Sequence, residues 1–478
     1  MSNSLLTTSI HILDDYSLLN IFYLYRPFLL GEDGNDEDRL KGGSVGWAGE
    51  HWWFKLTHVC QRWRNLILGA ASYLGLCLVC TYGTPVADML AHSPPLPLVI
   101  DCYKHSSIAE DEEAINLALE QRDRVRRIRL ILPVLKMQKL IMAMDGEYPI
   151  LECLILADPL RDTSTVLILP ETLEAPHLRH LVINCSIPIR SPLLGTAAGL
   201  VILCLMLYHP STYFQPTVLL QWLSSMPQLE ILLVAFYFAV PNRDVERQLM
   251  RTPIMIHVTL PNLRSFILQA VSAYSEAVLS QITTPRLENF QTCYHNQLTY
   301  SVPQLPQFMG RTEIVRFDRA KFEFNSEQVN VKVNPHETNM LLDVFYIMVD
   351  CWHLDWQVSS MAQIFTALSQ ILSGVEHLTL VHKVHSRSSE EHNEVDHTEW
   401  RKLLRSFTNL KALRIDDGLV KELSRCFRLK DEEDPLELLP ELQELTFSGS
   451  GSANDGFTSF IDARRKADRP VTLIKSEP

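Results

Sequence analysis

The sequence predicts an α/β chain: a short N-terminal helical domain, then an irregular repeat solenoid of parallel strands with helices on its convex side. Three observations carry that prediction. The first segments place apolar residues at helical spacing. A short phrase bearing proline and leucine then recurs with strand spacing along most of the chain. Stretches of helical period separate its copies, and strand–helix alternation implies parallel strands joined by right-handed crossovers. With 478 residues, 46% of them hydrophobic and 21% charged, the chain has the composition of a packed protein and is too apolar for a disordered one. Its length suits roughly two to four domains, although a repeat array absorbs several hundred residues as one unit.

The first helix is expected around Leu13, Leu18, Leu19, Ile21 and Phe22, with Asp14 and Asp15 supplying a cap and negative charge at its start. Pro27 limits it. Residues 31–46 read as a loop, because Gly31, Gly34, Gly42, Gly43 and Gly46 sit among acidic residues and nothing there buries a core. A second helical segment is expected from Trp52 to Ile67. Leu56, Val59, Cys60, Trp63, Leu66 and Ile67 fall on one stripe of it, with Arg62 and Arg64 off the stripe. A strand follows at Leu76 to Val79.

The recurring phrase is proline, any residue, leucine, two residues, apolar, any residue, apolar. Its copies are Pro149-Leu151-Leu154-Leu156, Pro176-Leu178-Leu181-Ile183, Pro227-Leu229-Leu232-Val234, Pro261-Leu263-Phe266-Leu268 and Pro440-Leu442-Leu445-Phe447. Pro285-Leu287-Phe290 is a weaker copy, with Thr292 in the last slot. Copies without proline start at Val125, Leu200, Val375 and Leu410. The last two apolar positions share one face of a strand. Proline fits where the chain enters the strand, since its missing N–H costs no ladder bond there. One such strand cannot bury its face alone, so neighbours must stack. Helical stretches lie between copies at Asp111 to Gln121, Val218 to Met226, Met361 to Leu372 and Glu399 to Phe407. The spacing of about 22 to 35 residues is that of an irregular leucine-rich-repeat-like array. The asparagine that follows the strand in regular arrays is missing, and the interval between residues 317 and 375 is less regular.

A formal net charge of -13 argues against capture of a phosphate backbone, so no nucleic-acid partner is expected. The basic run from Arg122 to Arg129 reads as a helix end running into a strand. No signal-peptide pattern opens the chain. The uncharged stretch from Asn65 to Ala87 is long enough to span a bilayer, but glycines, Pro85 and a turn break it. The expectation is a cytoplasmic or nuclear protein with no membrane partner. The 10 cysteines read as buried thiols and not as a disulfide frame. A zinc site at Cys77, Cys80, Cys102 and His105 is the sharpest rival. It conflicts with Leu78-Val79 reading as a strand, in which residues three apart face opposite ways. His382, His385, His392 and His397 fall in a Ser- and Glu-rich segment that suits a loop. His336-Glu337 lacks the second histidine of a zinc-protease helix. With no phosphate loop, no nucleophile elbow and no distinctive carboxylate pair, no enzyme activity, cofactor or metal is expected.

The N-terminal phrases resemble the F-box, in particular the expanded F-box families of mushroom-forming fungi. Leu13-Asp14-Asp15, Leu18-Leu19 and Ile21-Phe22 are similar to the opening of the box. Leu56-Thr57-His58-Val59-Cys60-Gln61-Arg62-Trp63-Arg64 is similar to its most recognisable part, and Ser93 to Ile100 to the passage from box to repeats. The chain departs from the family in carrying Asp14 where many boxes have proline, and in the 31–46 insertion. The resemblance implies an F-box-like domain at 1–80 and a leucine-rich-repeat-like domain at 81–478. It also implies the role of substrate receptor in an SCF-type ubiquitin ligase, docked on a Skp-type adaptor and through it a cullin scaffold. Carried over by position, the adaptor contacts are Leu13, Leu18, Ile21, Phe22, Val59, Cys60 and Trp63. Each is equally readable as internal core of the box. A protein substrate would meet the residues between the paired apolar positions of the strands: Ile155, Val182, Ile267, Thr379, Arg414 and Thr446. The alternative for those residues is cover by loops or neighbouring strands. The alternatives to the receptor role are a non-ligase interaction scaffold with a degenerate box, and a hydrolase hidden in the irregular 318–374 region.

Overall fold

The computed structural model of the chain describes residues 13–25, 52–103, 110–188, 192–238, 254–295, 297, 299–312, 317–335, 344–383, 397–428, 434, 436–448 and 454–476. The acidic insertion at 31–46, Pro27, His105, His336, His385 and His392 lie outside them. The chain divides into two compact units, 1–212 and 213–478. The division falls inside the repeats, and the N-terminal helices stay with the first six strands.

The first helix spans Asp15–Tyr25. Asp14 caps it: its carboxylate accepts the Ser17 backbone N–H at 2.7 Å and the Ser17 hydroxyl at 3.0 Å. These bonds hold the Asp14 carboxyl below its usual pKa. The second segment departs from expectation. It is two helices, Trp52–Thr57 and Gln61–Gly69, parted by a turn at His58 and Val59 and by an extended Cys60 (φ -159°, ψ 167°). The Thr57 carbonyl is taken by the Arg64 guanidinium at 3.0 Å and not by a following amide. The single stripe from Leu56 to Ile67 therefore does not form.

Beyond the helices, the first unit carries β1 (Leu78–Cys80), β2 (Leu98–Tyr103), β3 (Val125–Ile131), β4 (Cys153–Ala157), β5 (His180–Asn184) and β6 (Ile202–Leu207). They pair in sequence order and every pair is parallel. The second unit carries β7 (Ile231–Phe236), β8 (Val258–Thr259), β9 (Ser265–Ala270), β10 (Ile282–Thr283), β11 (Asn289–Tyr294) and β12 (Arg319–Phe324). It continues with β13 (Gln328–Asn334), β14 (Phe345–Asp350), β15 (His377–His382), β16 (Ala412–Ile415), β17 (Glu444–Ser448) and β18 (Thr472–Ser476). Its sheet runs β7-β9-β11-β14-β13-β12-β15-β16-β17-β18, and β8 pairs with β10 apart from it.

Each copy of the phrase lands on a strand, and its apolar positions are buried, as at Leu151, Leu154 and Leu156 or Leu410, Leu413 and Ile415. The proline does more than mark the start of the strand. In Tyr148–Leu151, Ala175–Leu178, Met226–Leu229, Leu260–Leu263, Thr284–Leu287 and Leu439–Leu442 the leucine N–H closes a turn onto the carbonyl three residues earlier. Proline occupies the second position of each, where its fixed φ favours the turn. The residue after the leucine then links neighbours. The Glu152 carbonyl accepts the amides of Arg179 and His180, and the Arg179 carbonyl those of Val201 and Ile202. Glu230, Arg264, Glu376 and Lys411 repeat the pattern in the second unit. This main-chain ladder joins strand to strand where a regular array would use asparagine.

One strand breaks the parallel rule. β13 lies antiparallel between β12 and β14, correcting the expectation of parallel strands throughout. The cause is local. The Asn325 side chain accepts the amides of Glu327 at 2.8 Å and Gln328 at 2.9 Å, so the chain reverses within a few residues, and so short a connection joins only antiparallel strands.

Helices cover the face that bears the phrase residues. The Glu110–Leu119 helix packs on β2, Ser272–Leu279 on β9, and Asp417–Cys426 on β15 and β17. Aromatic contacts seal the two layers: Phe290 meets Phe308 at 5.2 Å, Phe322 meets Phe365 at 5.0 Å, and Phe324 meets Trp400 at 5.6 Å. Among the described residues no helix is long and apolar enough to cross a membrane.

Candidate functional site

Two kinds of surface result. The first lies on the N-terminal helices. The Arg62 guanidinium ties the two segments together, donating to Asp15 at 2.7 and 3.0 Å and to the Leu13 carbonyl at 2.6 Å. The Tyr73 hydroxyl reaches Asn20 at 3.1 Å, and the Trp53 indole N–H reaches the Cys77 carbonyl at 3.3 Å. These bonds anchor the helices to one another and to the start of β1.

The expected adaptor contacts divide on this frame. Leu18 and Phe22 are fully buried, and Phe22 meets Trp63 edge-on at 4.8 Å. They pack inside this group of helices, the alternative reading given for each of these positions. Ile21 is 43% exposed and Val59 58%. Leu13, Cys60 and Trp63 are half-buried. Sequence reasoning missed the other large apolar residues of this part of the chain: Tyr16, Tyr23, Leu24, Tyr25, Phe54 and Tyr73 are all exposed. An apolar surface of this density on a held frame is unusual for a face that meets only water. The missed signal was in the first helix itself, where Tyr16, Tyr23 and Leu24 recur at helical spacing opposite Leu18 and Phe22.

The second surface is the sheet face turned away from the helices. In the first unit Asp101, Arg129, Ile155, Val182 and Cys204 are register partners in one row. Asp101 and Arg129 form a buried ion pair at 2.5 Å. Val182 is buried as well, in line with the alternative of cover by neighbouring segments, while Ile155 is half-exposed. The strands here are apolar on both sides, as in His-Leu-Val-Ile-Asn of β5 and Ile-Leu-Cys-Leu-Met-Leu of β6. Near-continuous apolar runs are the mark of parallel strands covered on both faces.

In the second unit the corresponding row is Leu233, Ile267, Gln291, Tyr346, Lys332, Lys321, Thr379, Arg414, Thr446 and Ile474. The expected residues Ile267, Thr379, Arg414 and Thr446 share it, although four strand positions separate Ile267 from Thr379. Ile267, Thr379 and Thr446 are half-exposed and Arg414 is exposed. A shallow depression of about 280 Å³ opens there, lined by Lys321, Thr379, Leu380, Val381, Arg414 and Asp416. Sequence reasoning missed Lys321 and Lys332, because their strands had not been assigned.

No protein-family model matches the chain, and no curated protein matches it.

The two faces differ in chemistry. Cys77 clusters with Val79 and Val99 on one side of β1, whereas Cys80 is three residues on, pairs with Ile100 and sits in the opposite layer. Burial pushes the Cys80 thiol up to about 11, which keeps it protonated at neutral pH. The arginines of the 122–129 run are engaged within the fold: Arg124 donates to the Leu96 carbonyl at 3.1 and 3.2 Å, Arg126 pairs with Glu152 at 2.9 Å, and Arg129 holds Asp101. The described part of the irregular 318–374 region holds β12, β13, β14 and the helices Leu354–Ala367 and Ser369–Leu372. Its buried Gln357 spends its amide N–H groups on the carbonyls of Asn325 at 2.8 Å and Cys351 at 2.6 Å, a structural role.

Proposed function

We propose that the chain is a substrate receptor of an SCF-type ubiquitin ligase, whose N-terminal helices dock a Skp-type adaptor and whose open sheet face holds a protein substrate. The resemblance of the 56–64 phrase to the F-box supports the first half. The single observation that carries it is the number of exposed apolar side chains on the N-terminal helices, Ile21 and Val59 among them, on helices bonded to one another and to the start of β1. Such a surface suits a groove-binding protein partner. The open polar row of the second unit supports the second half, since it is broad, continuous in register and away from the helix layer.

The test is capture of a purified Skp-type adaptor by the full chain. Ile21→Asp with Val59→Asp, both exposed, should abolish capture and leave the unfolding midpoint unchanged. Failure of the wild-type chain to capture the adaptor at micromolar concentration would overturn the ligase reading. That result would favour the second reading, an interaction scaffold with a degenerate box, which the break at His58 to Cys60 and the Asp14 substitution support.

A further inference from the structure

We infer that the open face of the second unit binds an acidic peptide segment, seated across β13, β12, β15 and β16. The inference deepens the receptor reading of that face and does not depend on the adaptor half. Five cations meet on four neighbouring strands: Lys332 on β13, Arg319 and Lys321 on β12, Lys383 just past β15, and Arg414 on β16. Lys321 and Lys332 are direct cross-strand partners, an arrangement that like charges disfavour. Arg319 and Arg414 are exposed, and the guanidinium of neither makes a hydrogen bond or ion pair with another described residue. A guanidinium on an open sheet offers two parallel N–H groups to a carboxylate.

Among the described residues the acids on the same face are Glu323 and Asp416, with Asp350 on β14 and Glu444 on β17 beside them. Glu323 already serves two lysines, Lys321 at 2.5 Å and Lys383 at 3.1 Å, and those contacts hold its carboxyl below the ordinary range although burial works against them. Glu444 accepts the Thr446 hydroxyl at 2.9 Å. Among the described residues five cations therefore share this face with four acids, in a chain whose net charge is -13. That contrast selects the partner. The patch crosses three inter-strand gaps, about 15 Å, which is the reach of roughly four or five extended residues. A long polyanion would run off the patch onto an acidic surface and be repelled. A short acidic stretch within a protein would not. The depression between Lys321, Thr379 and Arg414 gives one carboxylate a seat between an ammonium and a guanidinium.

The probe is a fluorescein-labelled peptide of about ten residues alternating Glu and Gly, with its Gln counterpart as control, titrated with the full chain by anisotropy. Binding of the Glu peptide, absent for the Gln peptide and weakened by added NaCl, is expected. Arg414→Glu and Arg319→Glu should each weaken it about tenfold, the size of one charge-assisted hydrogen bond. Both residues are exposed, and unchanged circular dichroism and thermal midpoints check that the variants fold. Equal binding of Glu and Gln peptides, or no binding, overturns the inference. So does preference for single-stranded RNA over the Glu peptide. Adaptor capture by the same preparations keeps the outcomes apart: peptide binding lost with capture retained removes only the acidic-segment inference, and the reverse removes only the ligase reading.

Discussion

Glu276 shows how one residue can tie the helix layer together and set a pH dependence. It is buried in the Ser272–Leu279 helix, and its carboxylate accepts the backbone N–H groups of Gln304 and Leu305, at the start of the Gln304–Arg311 helix. Those amides are among the four that a helix leaves unsatisfied. Burial nevertheless dominates and pushes the Glu276 pKa from 4.5 up to about 7. In the unfolded chain the group ionises near the lower value. Between the two values the unfolded chain has lost its proton and the native chain still holds it. Stability from this group is thus greatest at and below 4.5 and falls as pH rises through about 7. Urea midpoints at about pH 5 and about pH 8 should show that slope for the wild type. Glu276→Gln keeps an acceptor for one amide and removes the ionisation, so its midpoints should differ less between the two conditions. An equal slope in both proteins would assign the dependence elsewhere.

Elements were legible in the sequence to the extent that their packing is periodic. The phrase gave the phrase-bearing strands because Leu154 and Leu156, or Phe266 and Leu268, must share a buried face. Leu154→Ala should therefore cost about 3 kcal/mol by denaturant unfolding. Ile155→Ala, one residue along on the half-exposed side, should cost about 1 kcal/mol. Equal losses at the two positions would mean that the first unit is covered on both sides at β4, as it is at Val182. That cover was readable too: β5 and β6 lack the polar alternation of β15 and β16, and the alternation marks the open face. The antiparallel insert was less visible. Gln-Val-Asn-Val-Lys-Val-Asn in β13 has a clean period of two, but without leucine it does not match the phrase. The N-terminal helices were legible in kind only. A helical stripe drawn from Leu56 to Ile67 fits the spacing, yet Arg64 captures the Thr57 carbonyl and ends the helix, a side-chain event that spacing does not encode. The same break leaves Val59 in the turn and exposed, where it joins Ile21 in the proposed docking surface.

At the scale of the whole molecule, the ten thiols report on how the layers open. Nine of them are buried and Cys60 is half-buried. Burial pushes Cys293 and Cys426 up to about 12 and drives Cys185 and Cys204 higher still. The thiolate is the reacting species, so these groups are protected twice, by access and by protonation. A charged thiol reagent near neutral pH should label Cys60 alone in the native chain within minutes, and all ten thiols after unfolding, counted by intact mass. The slow phase carries more information. Strands that contact chiefly their neighbours open locally and not as one block. Cys80 lies on β1, at the edge of its sheet, and its pKa is raised less than those of the central thiols. It should label before Cys204 on β6, with peptide mapping of partly labelled protein giving the order. Simultaneous labelling of Cys80 and Cys204 would instead mean that the first unit opens cooperatively from end to end. In that case the main-chain ladder through Arg126, Glu152 and Arg179 couples its strands more tightly than neighbour-by-neighbour stacking allows.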